Sequence, residues 1–563
     1  MHDKAPDPAA VDRTGEWMCQ ARRLLAYGGL DGVVARPLYY DEEHVFPQFA
    51  ASARGCELVD STGQSFVDWV NGWGPVLLGY RRREVEEAIV SQLECGPTLS
   101  LMHPIEVEVA AMLVEMFPCA EMVAFGKNGS DAVTAAVRVA RAITGRNVIL
   151  NYGFHGFHDW YIGSVPNVRG IPDTLRSLVH PFPYNDLPTL RRLFSEQRGK
   201  VAAIVMEPIR EIIPEPGYLA AVRDLCHAEG ALFIFDEIVT AFRLANGGAQ
   251  ELFGVLPDLA CLGKSIANGM PLSALVGRRE YMQHLPSVGF GMTFRGDTLS
   301  LAAARAVLRI LRSEPVAEHL ASTGSSVRVR FDRMAQSKGL RTRLLGPPAR
   351  MTFGFIEENG WSPDRQRELF VQECLKRGVF TNGNLLASHA HDDAAIERTL
   401  AGLDGALDVL ALALRGHARE ARPVGGAPNA PRAISATGFL ESFVERDDRL
   451  ELGGWMLLDD GPPEGVTLRA RDGSEVRATM IARPDLGKAF PHIPRAHMSG
   501  YSLATPAKLF RKAGARGQDE YDFMLCGMRG AEVAFRCRVV CRRTAAQAAL
   551  AGPMSTADGV LYL

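Results

Sequence analysis

Between about residues 120 and 300 the chain carries short, continuously apolar runs separated by longer helical patterns. The runs are Met122–Phe125, Asn147–Leu150, Val201–Met206 and Ala231–Phe235. They do not alternate apolar with polar, so they read as strands buried on both faces. Between the first two lies Ala132–Thr144, whose Val133, Ala136, Val137 and Ala140 recur at helical spacing. Strands separated by helices predict an α/β domain built on a mostly parallel sheet.

That domain cannot be the whole chain. At 563 residues the sequence exceeds the roughly 250–300 residues at which single cores stop growing. The stretch Arg422-Pro-Val-Gly-Gly-Ala-Pro-Asn-Ala-Pro-Arg432 is aperiodic and reads as a linker over 421–432. Residues 433–563 then change to β-type runs: Thr437–Val444, Leu450–Leu458, Gly465–Ala470 and Glu475–Ile481. Asp472-Gly473 is a hairpin-turn signal, and the pattern predicts a small all-β sandwich or barrel. No internal repeat is visible.

Composition narrows the function class. A formal net charge of −3 offers no basic field for nucleic acid or an anionic membrane surface. The polar N-terminus lacks a signal-peptide core, and no apolar run approaches the ~20 residues of a span. Ten cysteines include no Cys-x-x-Cys pair, the closest being Cys537 and Cys541. A reduced, cytoplasmic protein without a cysteine metal site is expected.

Two residues carry chemistry. Asp236 ends the apolar run Ala231–Phe235, and ligands of open α/β sheets sit at the carboxyl ends of strands. Lys264 follows the apolar Leu259–Leu262 among glycine and small residues. An amine that condenses with an aldehyde, beside an acid that keeps a pyridine nitrogen protonated, is the donor set of pyridoxal phosphate chemistry. Each residue has a plainer reading, Asp236 as a helix cap and Lys264 as solvated surface. A phosphate site joins them: Phe125-Gly-Lys-Asn-Gly-Ser-Asp-Ala132 links a strand to a helix N-terminus, whose free N–H groups and dipole favour an anion. The plainer reading there is a capped loop.

These residues fall in an ordered series. Asn71-Gly-Trp-Gly-Pro75, Lys127-Asn-Gly-Ser-Asp-Ala132, Phe154-His-Gly-Phe-His-Asp159, Glu207-Pro208, Asp236-Glu-Ile-Val-Thr-Ala-Phe-Arg243, Leu262-Gly-Lys-Ser265 and Thr293-Phe294 resemble the motifs of class III aminotransferases of pyridoxal-phosphate fold type I. Within that family the chain is most similar to glutamate-1-semialdehyde aminomutases. The resemblance covers about residues 20–415 and implies a catalytic region over 1–420. A large sheet domain would occupy about 80–320, with a smaller α+β domain drawn from both ends.

The resemblance implies pyridoxal 5'-phosphate as cofactor, with Lys264 its covalent anchor and Asp236 on its ring nitrogen. Asn128, Gly129 and Ser130 would hold the phosphate, Phe154 and Ile238 the two ring faces, and His155 and Glu207 the pocket wall. Thr293 would reach the phosphate of a neighbouring subunit, which implies a homodimer with shared sites. Trp73 and Arg36 are the substrate-side candidates. Arg243 reads as a structural ion-pair partner. His155 and His158 resemble a metal pair but lack further ligands, so no metal is expected.

The implied reaction moves an amino group from a small-molecule donor to a carbonyl acceptor, or between two carbons of one molecule as an aminomutase does. Two departures bear on this: the family's Ser-Gly-Thr is Asn-Gly-Ser here, and its tyrosine is Phe154. Many family transaminases carry an arginine near the end of the small domain. Asn382–Asp392 contains none, which fits an acceptor without an α-carboxylate, such as a sugar or small aldehyde. The non-enzyme alternative is a degraded fold-type-I binding protein, against which the presence of Asp236 and Lys264 stands. The tail, through Gly453–Asp459, Ala482–Phe490 and Ser499–Tyr501, resembles β-rich modules appended to glycosyltransferases of surface-polysaccharide pathways.

Overall fold

A computed structural model of the chain describes residues 47–166 and 168–415, a short helical stretch within 17–26, and strand segments between 436 and 562. It divides into two compact units, one holding His44–Ala421 and the other Arg422–Leu563. Among the described residues no helix is long and apolar enough to cross a membrane.

The first unit is built on a seven-stranded sheet. Its strands are β1 (Met122–Gly126), β2 (Val148–Tyr152), β3 (Val179–Pro181), β4 (Val201–Met206), β5 (Leu232–Asp236), β6 (Leu259–Leu262) and β7 (Ser273–Gly277), in the spatial order β1-β7-β6-β5-β4-β2-β3. The four predicted runs are strands β1, β2, β4 and β5, each within a residue or two of the expected ends. Their neighbours from β3 to β6 pair in parallel, whereas β7 runs antiparallel to both β1 and β6. The reason is chain length. Segment 263–272 is shorter than the dozen or so residues a parallel crossover needs, so β7 must return antiparallel.

The unbroken apolar runs follow from burial on both faces. Ile204, Met206, Phe233 and Phe235 join one core cluster, while Ala203, Val205 and Ile234 join another with the helix α1 (Gly129–Thr144). Each of these side chains larger than alanine, wholly removed from water, contributes about 1.5–3 kcal/mol.

Two smaller sheets complete this unit from both ends of its sequence. Ala50–Arg54, Glu57–Asp60 and Ser65–Asp68 form an antiparallel meander that Val379–Phe380 joins in parallel. Arg343–Leu345, Arg350–Gly354 and Asn384–Leu386 form the other. Helices Val316–Ser337, Pro363–Lys376 and Asp393–Leu414 pack with them.

In the second unit the described backbone forms two largely antiparallel sheets, one of five strands and one of six. Ala436–Arg446, Arg449–Leu458 and Gly465–Ala470 match predicted strands. The predicted Glu475–Ile481 strand is instead two. Glu475–Arg477 pairs with Gly465–Ala470, and Thr479–Ile481 pairs with Gly500–Pro506 in the other sheet. Asp472-Gly473 lies outside the described residues.

Candidate active site

The carboxyl ends of β2, β4 and β5 and the N-terminus of α1 converge on one cavity of about 290 Å³. Nine residues expected from the sequence line it: Asn128, Gly129, Ser130, Phe154, His155, Glu207, Asp236, Ile238 and Lys264. These come from five separate segments, and only the sheet's topology brings them together.

Asp236 is the last residue of β5 and is 3% exposed. Its Oδ1 accepts the Ile238 N–H at 3.1 Å, and its Oδ2 lies 2.7 Å from His155 Nδ1. The carboxylate is therefore held in one orientation. The adjacent acid, Glu237, turns the other way and accepts from Thr240 Oγ1, the Ala249 N–H and both Gln250 donors. One acid anchors the turn and leaves the other for the cavity. His155 Nε2 is buried without a hydrogen-bond partner, and its ring lies edge-on to Tyr161 at 5.1 Å. Its apparent companion points elsewhere, since His158 Nδ1 lies 2.8 Å from Thr134 Oγ1.

At the opposite wall, Asp131 Oδ2 accepts the backbone N–H groups of Lys127 and Asn128. This caps α1 and leaves Gly129 and Ser130 at its mouth. Gly156, at φ 90°, presses against Ser130: a Cβ there would sit 2.0 Å from Ser130 Oγ. A Cβ on Gly129 would meet Ile238 at 3.2 Å. The space in front of the helix is thus shaped by residues without side chains. Lys127 does not face it, because its Nζ pairs with Asp297 Oδ2 at 2.7 Å.

Lys264 follows β6 at φ 42°, a left-handed conformation uncommon for a side-chain-bearing residue. Burial first, and then the Arg350 charge, push its amine down to about 8, against the opposing pull of Glu207 and Asp236. Glu207 is 5% exposed. Its Oε1 accepts the Phe154 N–H at 2.9 Å and its Oε2 accepts Arg350 Nη1 at 2.8 Å. Arg210 Nε stands 3.5 Å from Oε1. Burial raises the Glu207 carboxyl, but the two guanidiniums outweigh it and hold it below the usual range.

Arg210 and Arg350 line the cavity and were not anticipated. Arg210 had a signal, its place three residues beyond Glu207. Arg350 opens a strand far from every motif. One expectation is corrected. Arg243 forms no ion pair among the described residues: it is wholly buried and donates to the carbonyls of Gly74, Ala349 and Ala387. Trp73 is 40% exposed and lies outside the cavity lining. Thr293 is also exposed and outside it. Arg36 lies outside the described residues.

The profile of the family "Aminotransferase class-III" matches residues 39–380. The chain belongs to the class-III aminotransferases. Its relatives in this family include the 3-aminobutyryl-CoA aminotransferase of Cloacimonas acidaminovorans (strain Evry), 34% identical over 67% of this chain and 92% of that protein. The glutamate-1-semialdehyde 2,1-aminomutase of Methanothermobacter thermautotrophicus is also 34% identical, over 68% and 96%. Among solved structures, the FumI protein of Sphingopyxis sp. MTA144, in its PLP internal aldimine form, superposes with a TM-score of 0.67 at 30% identity, covering 73% of this chain and 99% of FumI. As a class-III aminotransferase this is a pyridoxal-phosphate-dependent transaminase or aminomutase. The cavity fits that cofactor: a helix N-terminus cleared of side chains for a phosphate, and a buried, orientated carboxylate for a ring nitrogen.

Proposed function

We propose that this aminotransferase moves an amino group from a small amine donor to a separate carbonyl acceptor that bears a carboxylate. Lys264 Nζ would be the cofactor's covalent anchor, and once displaced by the substrate amine it would take the proton from the substrate carbon and give it to the cofactor's former aldehyde carbon. Asp236, orientated by His155, holds the ring nitrogen protonated. Asn128, Gly129 and Ser130 bind the phosphate, while Phe154 and Ile238 flank the ring. The cofactor supplies the electron sink for the carbon that loses a proton.

The observation that carries the substrate reading is the Glu207–Arg350–Arg210 cluster in the cavity wall. An acceptor without a carboxylate follows only if no arginine is near, and the absence of one from Asn382–Asp392 is offset by two guanidiniums from other segments. Arg350 gives its Nη1 to Glu207 and the Ile209 carbonyl, and its remaining N–H groups are the donors we assign to a substrate carboxylate, so a carboxylate-bearing substrate fits better than a neutral sugar. The aminomutase relatives favour a second reading, in which donor and acceptor carbons belong to one molecule.

A half-reaction screen separates the two. Holoenzyme mixed with single amines should lose its visible band with one donor and recover it with an unrelated keto or aldehyde acid. Recovery that requires a diamino or amino-aldehyde form of the same molecule would establish the mutase reading.

We place the enzyme in the cytoplasm, and we take the working species to be a homodimer in which Thr293 completes the neighbouring site. Exposed Leu101, Met102, Phe157 and Phe294 supply apolar surface for the interface. Light scattering should find a dimer; a fully active monomer would refute this.

A further inference from the structure

Arg243 is among the largest fully buried side chains of the described residues, and none of its hydrogen-bond partners there is a carboxylate. A guanidinium does not give up its proton, so burial leaves a bare cation whose desolvation must be offset by its hydrogen bonds. Those bonds tie together three separate segments. Nη2 donates to the Gly74 carbonyl at 2.9 Å, and Nη1 to the Ala387 carbonyl at 2.6 Å and the Ala349 carbonyl at 3.4 Å. Each segment bears on the cavity. Gly74 ends the Asn71–Trp73 turn, and a Cβ there would stand 3.8 Å from Lys264 Cδ; Ser265 Oγ donates to the same Gly74 carbonyl at 3.1 Å. Ala349 precedes Arg350. Ala387 follows Leu386, whose carbonyl accepts from Asn71 Nδ2 at 2.7 Å.

Backbone strain concentrates around this hub. Asn71 (φ 51°), Trp73 (φ 73°), Phe242 (φ 64°) and Lys264 (φ 42°) all occupy the left-handed region. For Phe242, a buried aromatic directly before Arg243, that conformation is an outlier. Such residues cost of order 1–3 kcal/mol each and persist only where their surroundings over-determine them. A fork with three acceptors on three chain segments is a device that over-determines.

We infer that Arg243 is a positioning residue, whose fork fixes the Gly74 turn and the Arg350 strand against Lys264 so that the lysine amine meets cofactor and substrate in one geometry. The inference rests on Lys264 as the cofactor lysine and concerns neither phosphate binding nor substrate contact.

Arg243→Lys and Arg243→Met, made in the full-length holoenzyme, test it. Lysine keeps the charge and loses the fork; methionine loses both. With cofactor content corrected for, both variants should lower kcat at least about tenfold, as a misplacement of about an ångström does. KM should change less. The visible circular dichroism of bound cofactor, which reports its fixed orientation, should weaken about twofold or more. Rate and dichroism both at wild-type values in either variant, with only the melting temperature lowered, would show Arg243 to be structural and overturn the inference. If neither variant folds, Gly74→Ala perturbs the same turn at φ 97° without removing the arginine. It should weaken the dichroism in the same way, and an unchanged band would overturn the inference. Borohydride fixation followed by peptide mapping checks the underlying reading separately: cofactor fixed on a lysine other than Lys264 removes that reading whatever the Arg243 variants do.

Discussion

Residue chemistry in this cavity is set by neighbours more than by residue type. Lys264 has an amine poised near 8 because burial and Arg350 disfavour its charged form. Its folded pKa is depressed, so the charged amine costs stability below about 8 and that cost fades as pH rises between about 8 and 10.5. Only the neutral amine attacks an aldehyde. Uptake of pyridoxal phosphate by the apoenzyme should therefore speed up as pH rises and level off above about 8, as growth of the visible band will show. A rate flat from pH 6 to 9 would contradict this. For Asp236, the 2.7 Å contact with His155 fixes the carboxylate toward the proposed ring nitrogen. Asp236→Asn keeps the shape but loses the charge-assisted pair, so turnover should fall about a hundredfold or more with the melting temperature little changed. Near-normal turnover would remove the assigned role.

At the scale of elements, the phosphate-facing end of α1 is built by two loops pressed together. Gly156 lies against Ser130 so closely that a methyl group would overlap Ser130 Oγ, and its φ of 90° already excludes most residues. Gly156→Ala should push Ser130 out of place and destabilise the loop by about 1–3 kcal/mol. The readout is the cofactor dissociation constant, which should rise at least tenfold. Unaltered affinity would mean that Ser130 does not hold the phosphate. The same scale explains why α1 was legible beforehand while β7 was not. Val133, Ala136, Val137 and Ala140 recur with a helical period that one core face imposes, whereas the direction of β7 depends on the length of the turn before it. Likewise the split at Ala478 moves Thr479–Ile481 into another sheet, a pairing choice that apolar alternation does not encode.

For the molecule as a whole, the division between Ala421 and Arg422 adjoins the Pro/Gly-rich segment, and every residue lining the cavity lies before it. We propose that the β-rich part is dispensable for the chemistry. A protein ending near residue 420 should fold, bind cofactor, turn yellow and complete the half-reaction with a competent amine. If the β-rich part recognises the acceptor, truncation should weaken use of that acceptor and spare the donor half-reaction. An insoluble or cofactor-free product would show that this division cuts through a shared core.

What the sequence determined by itself was the class of fold, through doubly buried strands separated by helices, and five of the cavity's residues: Asn128, Gly129 and Ser130 at a glycine-marked helix start, Asp236 at a strand end and Lys264 after an apolar run. The family resemblance of its motifs supplied the cofactor and the other four, Phe154, His155, Glu207 and Ile238. The tertiary structure alone decided the charge environment. Arg350 reaches Glu207 from a strand 143 residues away, and Arg243, which looks from its position like an ion-pair partner, bonds carbonyls 106, 144 and 169 residues distant. Contacts at such separations leave no periodicity or spacing in the chain, since they depend on how whole sheets and turns are brought together.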